Sequence, residues 1–173
     1  MPSSPHIPPL LVEKIDPSVK IPVRQNSTDS CVDVCAFKFG LLFRKGEPVE
    51  AENGTAVGDM TSITLDTMDR VLISTGLRVT VGEGYEIQIR SRSGLTLKNG
   101  LVVANGIGTI DEQYRGDLGV VLINISGKKQ TIELGERIAQ IAVCPIILSD
   151  IRIVTSLDST TRGTGGFGST GRK

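Results

Sequence analysis

At 173 residues, with 19 lysines and arginines against 19 aspartates and glutamates, the chain has no net charge and suffices for one domain with a real core. That balance removes a sequence-wide electrostatic case for nucleic acid or membrane binding and leaves only local anion sites of a few arginines and backbone amides. The single histidine, His6, sits in the proline-rich stretch MPSSPHIPP, so no intrachain Ser-His-Asp or Cys-His system forms unless that arm folds into the site, and acid–base work falls to carboxylates.

Residues 1–9 read as a flexible N-terminal arm without the charged-then-apolar pattern of a secretory signal, and no apolar run is long enough to span a bilayer. A soluble intracellular protein is expected, cytoplasmic or, in a eukaryote, nuclear. STDSCVDVCAF then places Asp33 within an apolar strand, either as a solvated edge group or as an oxygen ligand near a hard cation such as magnesium. Cys31, Cys35 and Cys144 are odd in number and lack metal-ligand company; they read as small hydrophobes or idle thiols. Arg44 to Ser62, polar and poor in aromatics, reads as a long surface loop.

RVLISTGLRVTV is valine- and isoleucine-rich, and in GYEIQIRS the residues Tyr85, Ile87 and Ile89 alternate with Glu86, Gln88 and Arg90, the period of a half-buried strand. The strand ends at IRSRSGLTLKNG, where Arg92, Ser93 and Gly94 precede a short helix expected over Ser93 to Lys98. That start is either an anion-binding amide cluster or an ordinary cap. In NGIGTIDEQYRGDLG, Asp111 is a candidate general base and Asn105 a candidate partner for a nucleobase edge; the bland alternative is a hairpin with an Asx turn.

LGVVLINIS and ERIAQIAVCPIIL complete the strands, with GKKQT expected as a tight hairpin connection. Gln140 is a candidate phosphate donor or a plain strand-surface glutamine. The tail from Ser156 carries RGTGGFGSTG, a glycine-rich segment that is either disordered or a flap ordering over an anion. It is no P-loop, because Arg172 occupies the lysine position and no helix can follow. With no long helical period anywhere, the pattern predicts an all-β barrel or jelly roll over residues 1–155 and a C-terminal arm over 156–173.

Taken in order, DSCVDVCAF, RSRSGLTLKNG, NGIGTIDEQYRGDLG, GERIAQ and RGTGGFGSTG resemble the five motifs of the trimeric dUTPase family, from about Asp33 to the C-terminus. The resemblance implies a jelly-roll-like subunit and a homotrimer with active sites shared between subunits. It also implies magnesium-assisted hydrolysis of dUTP to dUMP and pyrophosphate, which limits uracil in DNA and supplies dUMP for thymidylate synthesis. Asp111 would activate the attacking water. Asn105, Gly108, Thr109, Ile110 and Gly119 would line the uracil pocket, and Tyr114 would pack under the sugar, leaving no room for a 2′-hydroxyl.

By the same resemblance, Arg92, Ser93, Gly94 and Gln140 would contact the phosphates, and Asp33 would reach Mg2+ through water, the triphosphate being the main ligand. Arg162 would meet the γ-phosphate, Phe167 would stack on uracil, and Gly168, Ser169 and Thr170 would complete a mobile lid. Three features depart from the family pattern. Cys31 and Val32 replace a glycine and an aromatic, Ser91 replaces a proline and should loosen the strand end, and the Arg44 to Ser62 loop is long. A protein partner at that loop, a nucleotide-gated regulator on the same fold and a dCTP deaminase relative are the rival readings, the last without a matching base-pocket glutamate motif although Glu112 lies close.

Overall fold

The computed structural model of the chain describes residues 8–49, 51–52 and 55–166. Most of the N-terminal arm and the flap residues Phe167, Gly168, Ser169 and Thr170 lie outside these. Among the described residues the first strands are β1 Leu11–Lys14, β2 Val32–Cys35, β3 Lys38–Arg44, β4 Glu47–Val49, β5 Ala51–Glu52, β6 Thr55–Ala56 and β7 Ser62–Leu65. They are followed by β8 Arg70–Ser74, β9 Leu77–Thr80, β10 Tyr85–Arg90, β11 Leu101–Val103, β12 Gly108–Ile110, β13 Gly119–Asn124, β14 Gln130–Glu133 and β15 Arg137–Pro145. One helix, α1 Ser93–Asn99, interrupts them.

The strands form a four-stranded sheet ordered β12-β10-β15-β2, a five-stranded sheet ordered β11-β13-β8-β3-β4, and the pairs β1-β9, β14-β7 and β5-β6. Inward-facing side chains from both main sheets merge into one apolar cluster that includes Phe39, Leu42, Ile73, Ile87, Leu122 and Ile141. Burying each such side chain stabilises the fold by about 1.5–3 kcal/mol. β10 alternates as expected: Ile87 and Ile89 are buried, while Glu86, Gln88 and Arg90 face outward. The fold is all-β and jelly-roll-like.

Two expectations need correction. Arg44 to Ser62 is more than a surface loop, because β4 returns on β3 through Lys45 and Gly46, both at positive φ (51° and 89°), with Arg44 opposite Glu47. Two residues at positive φ make the tight turn that matches strand twist. Pro48 is tolerated because β4 is an edge strand. Val57, in a 3-10 turn, is buried, and the Arg44 guanidinium pairs with buried Asp69 at 3.1 Å. Too few apolar residues mark this stretch for periodicity to reveal it.

GKKQT, in turn, does not join a hairpin. β13 pairs with β11 and β8, whereas β14 pairs with β7, so the chain changes sheets here. Fully buried Asn124 holds the crossing. Its amide Nδ2 donates to the carbonyls of Leu65 (2.9 Å) and Lys128 (2.7 Å), and its Oδ1 accepts from the Ser126 amide at 2.9 Å.

Candidate active site

The candidate residues expected to take phosphates are assembled on β2, β15 and the start of α1. In the ladder, Asp33 lies opposite Gln140, and Gln140 opposite Arg90. The Asp33 carboxylate accepts from Arg92 Nε at 2.9 Å on one oxygen and from Arg137 Nη1 at 3.1 Å on the other. Arg92 Nη1 donates in addition to the Arg137 carbonyl at 3.0 Å. Arg92 Nη2 has no acceptor among the described residues, so two guanidiniums held by one carboxylate leave net positive charge and spare donors. Arg137 is the residue that sequence reading missed; its only local signal was its place three residues before Gln140.

α1 starts beside this cluster. Arg92 occupies its N-cap in an extended conformation without a side-chain cap, so no side chain covers the first-turn amides. Ser93 and Gly94 are exposed, and a Cβ on Gly94 would meet nothing within 4 Å. At the other end Gly100 closes the helix at φ 62°, where a Cβ would come within 2.6 Å of the Ser126 Cβ.

Ser91, expected to loosen the strand end, is hydrogen-bonded there through both its hydroxyl and its carbonyl. Its hydroxyl accepts the Val103 amide at 2.9 Å and its carbonyl accepts Gln140 Nε2 at 2.8 Å. Beside Asp33, burial pushes the Cys35 thiol above its ordinary pKa, against the opposing pull of Lys20 and Arg137.

The second half follows β11. Gly106, at φ 75°, closes a turn by donating its amide to the Val103 carbonyl at 3.1 Å. Asn105 folds its amide over Gly108: a Cβ there would stand 3.3 Å from Asn105 Nδ2 and 3.1 Å from the Ile89 Cβ. Glycine is what lets the turn and β10 approach so closely. β12 pairs with β10, placing Thr109 opposite Gln88 and Ile110 opposite Ile87, so the segment is a crossover between sheets rather than the plain hairpin of the bland reading.

Asp111 is exposed, and its carboxylate has no hydrogen bond or ion pair among the described residues. Its carbonyl accepts the Tyr114 amide at 3.0 Å. Tyr114 lies against Gly116 and donates its hydroxyl to the Asp117 carbonyl at 2.9 Å. Ile110, Tyr114, Asp117 and Gly119, together with Phe39 and Leu72, line a cavity of about 530 Å³. Asp117 Oδ1 is buried without a hydrogen-bond partner among the described residues.

The two halves stand apart in one chain. β12 and β2 are opposite edges of the four-stranded sheet, three strand spacings or about 14 Å from each other. Arg162 is exposed, and among the described residues it donates only within its own turn, Nε to the Gly165 carbonyl at 2.9 Å. The described residues hold no group of three or more His, Cys, Asp or Glu able to cage a metal. Asp33, with both oxygens already taken by arginines, fits an outer contact through water and not a resident metal centre.

The sequence profile of the dUTPase family matches residues 57–171, well over half of the chain. The chain belongs to the dUTPase family. Deoxyuridine 5'-triphosphate nucleotidohydrolase of Wolinella succinogenes is 38% identical over 159 residues, covering 92% of this chain and 91% of that protein. The enzyme of the same name from a Hydrogenobaculum species is 50% identical over 111 residues, 64% of this chain and 77% of its own. Among solved structures, the dUTPase of Staphylococcus bacteriophage 80alpha with dUPNHPP superposes with a TM-score of 0.72 at 26% identity, covering 94% of this chain and 98% of that one. The profile of this dUTPase-family chain begins beyond Asp33 and takes in Arg92 and Arg137, and the ion pairs that join the three are seen in the fold.

Proposed function

We propose that the chain is a dUTP diphosphatase, hydrolysing dUTP to dUMP and pyrophosphate by attack of water on the α-phosphate. The observation that carries this is the exposed Asp111 carboxylate, without a partner among the described residues, following the Asn105–Gly108 turn in a chain of the dUTPase family. A free carboxylate next to a base-sized turn suits a general base that orients one water. Asn105, Gly108, Thr109, Ile110 and Gly119 take uracil, the tight backbone at Gly108 leaving no space for the thymine methyl. Tyr114 packs under the deoxyribose and excludes a 2′-hydroxyl.

Arg92, Ser93, Gly94 and Gln140 take the phosphates, with Arg137 joining them through Asp33. Mg2+, carried mainly by the triphosphate and met by Asp33 through water, neutralises phosphate charge when bound. Arg162 meets the γ-phosphate, and the flap from Phe167 to Thr170 covers the nucleotide. The protein acts as a soluble intracellular homotrimer whose sites are shared between copies. Two observations support sharing: the halves of the site sit on opposite sheet edges, and the arm after β15 leaves Ile147, Ile151, Ile153 and Leu157 exposed by 85–99%. So apolar an arm calls for a covering surface. No helix among the described residues is long and apolar enough to cross a membrane.

The test is pyrophosphate release with magnesium from dUTP, dTTP, dCTP and UTP in parallel. Turnover of dUTP alone is expected. Ammonia release from dCTP would move the assignment to a deaminase, and inertness towards all four to a nucleotide-gated binding protein.

A further inference from the structure

β11 is an edge strand: the five-stranded sheet begins with it, and among the described residues only β13 pairs with it. The Val103 amide faces away from that ladder and finds its acceptor in the Ser91 hydroxyl, 2.9 Å away and part-buried. Ser91 directly follows Arg90, the last residue of β10, so the bond ties the end of a strand of the four-stranded sheet to the edge of the five-stranded one. The Ser91 carbonyl meanwhile takes Gln140 Nε2 at 2.8 Å, from β15. Arg92 follows Ser91 directly, and Asn105 follows Val103 by two residues. A single residue therefore fastens three things: the start of the arginine–helix loop, the glutamine beside Asp33, and the root of the Asn105 turn.

The geometry points to Ser91 as a positioning residue for hydrolysis, one that sets the Arg92–Gly94 loop against the Asn105 turn without touching the nucleotide. This rests on the dUTP diphosphatase reading. The hydroxyl is the essential part. A side chain without an oxygen leaves the Val103 amide without a protein acceptor, and the freed edge of β11 carries the Asn105 turn with it. Geometry at this level matters because a reacting group displaced by about 1 Å loses up to a hundredfold in rate. Loss of a single neutral hydrogen bond is itself worth about tenfold.

The experiment compares the full-length wild type with Ser91→Ala and Ser91→Thr. It measures kcat and KM for dUTP, thermal midpoint, and exchange of the Val103 amide by NMR. Ser91→Ala is expected to lower kcat/KM by about tenfold and to speed Val103 exchange by about as much, with the midpoint within a few degrees of wild type. Ser91→Thr, which keeps the oxygen, is expected to restore both. An active wild type with Ser91→Ala equal to it in kcat/KM overturns the positioning role. So does a Ser91→Ala whose loss tracks only a lowered midpoint and is recovered at lower temperature, since that is plain structural support. A wild type that hydrolyses no nucleotide overturns the dUTP reading, and the positioning role with it.

Discussion

Arg92 Nε lies 2.9 Å from Asp33 Oδ1, although 59 residues separate them in the chain. The pair turns a strand carboxylate into a bracket for a guanidinium at the head of a helix, and Arg137 completes it from the next strand. Both partners of the short pair are part-buried, with side chains 25% and 16% exposed, so the bracket is only lightly screened by water.

Asp33→Asn therefore acts on stability and on turnover together. Unfolding in urea should show a loss of about 1–2 kcal/mol, between the values of surface and buried pairs. Steady-state kinetics should show kcat/KM reduced by about tenfold or more, since the two arginines lose their orientation. Wild-type kinetics in that variant would place Asp33 outside the site.

Asp111→Asn is the converse case. The side chain is exposed and bonds to nothing among the described residues, so the thermal midpoint should not move. Pyrophosphate release should fall by about 10²–10⁴-fold, the usual worth of a general base. Binding of a non-hydrolysable dUTP analogue, followed by calorimetry, should survive.

Gly100→Ala tests the helix end. Gly100 is left-handed at φ 62°, and a Cβ would press on Ser126 backbone at 2.7 Å as well as on its side chain. A loss of about 2 kcal/mol or more is expected in urea unfolding. Gly94→Ala, in open space, should cost far less.

Two truncations separate assembly from closure. A chain ending at Pro145 lacks the exposed apolar arm and should sediment as a monomer. A chain ending at Thr161 keeps the arm and should sediment like the full-length protein. Its kcat/KM should nevertheless fall by about ten- to a hundredfold, the worth of one lost base stack. Loss of assembly in the longer truncation would make the flap a structural element.

Cys35 supplies a pH dependence. Burial raises its folded pKa above the unfolded value, so folding is unaffected well below that value and loses stability as pH climbs from the ordinary thiol range through the raised one. Alkylation at pH 8.5, read by peptide mass spectrometry, should be slower at Cys35 than in an unstructured peptide of the same sequence. Cys35→Ser should flatten the alkaline fall in stability.

The all-β class, the β10 alternation and the short helix were legible in the chain because each is written locally, in side-chain period or turn chemistry. Strand partnership was not, because a strand's inward pattern fits many neighbours and only long-range ladder bonds choose among them. That is why GKKQT looked like a hairpin and joins two sheets, and why a polar stretch hid the β3–β4 turn. The same limit concealed Arg137, whose part depends on a carboxylate 104 residues away, and Ser91, whose acceptor role exists only once β11 becomes an edge. Motif order, read through the family resemblance, singled out the candidate groups; the packing of two sheets decided which of them stand together, and set Asp111 and Asp33 at opposite edges.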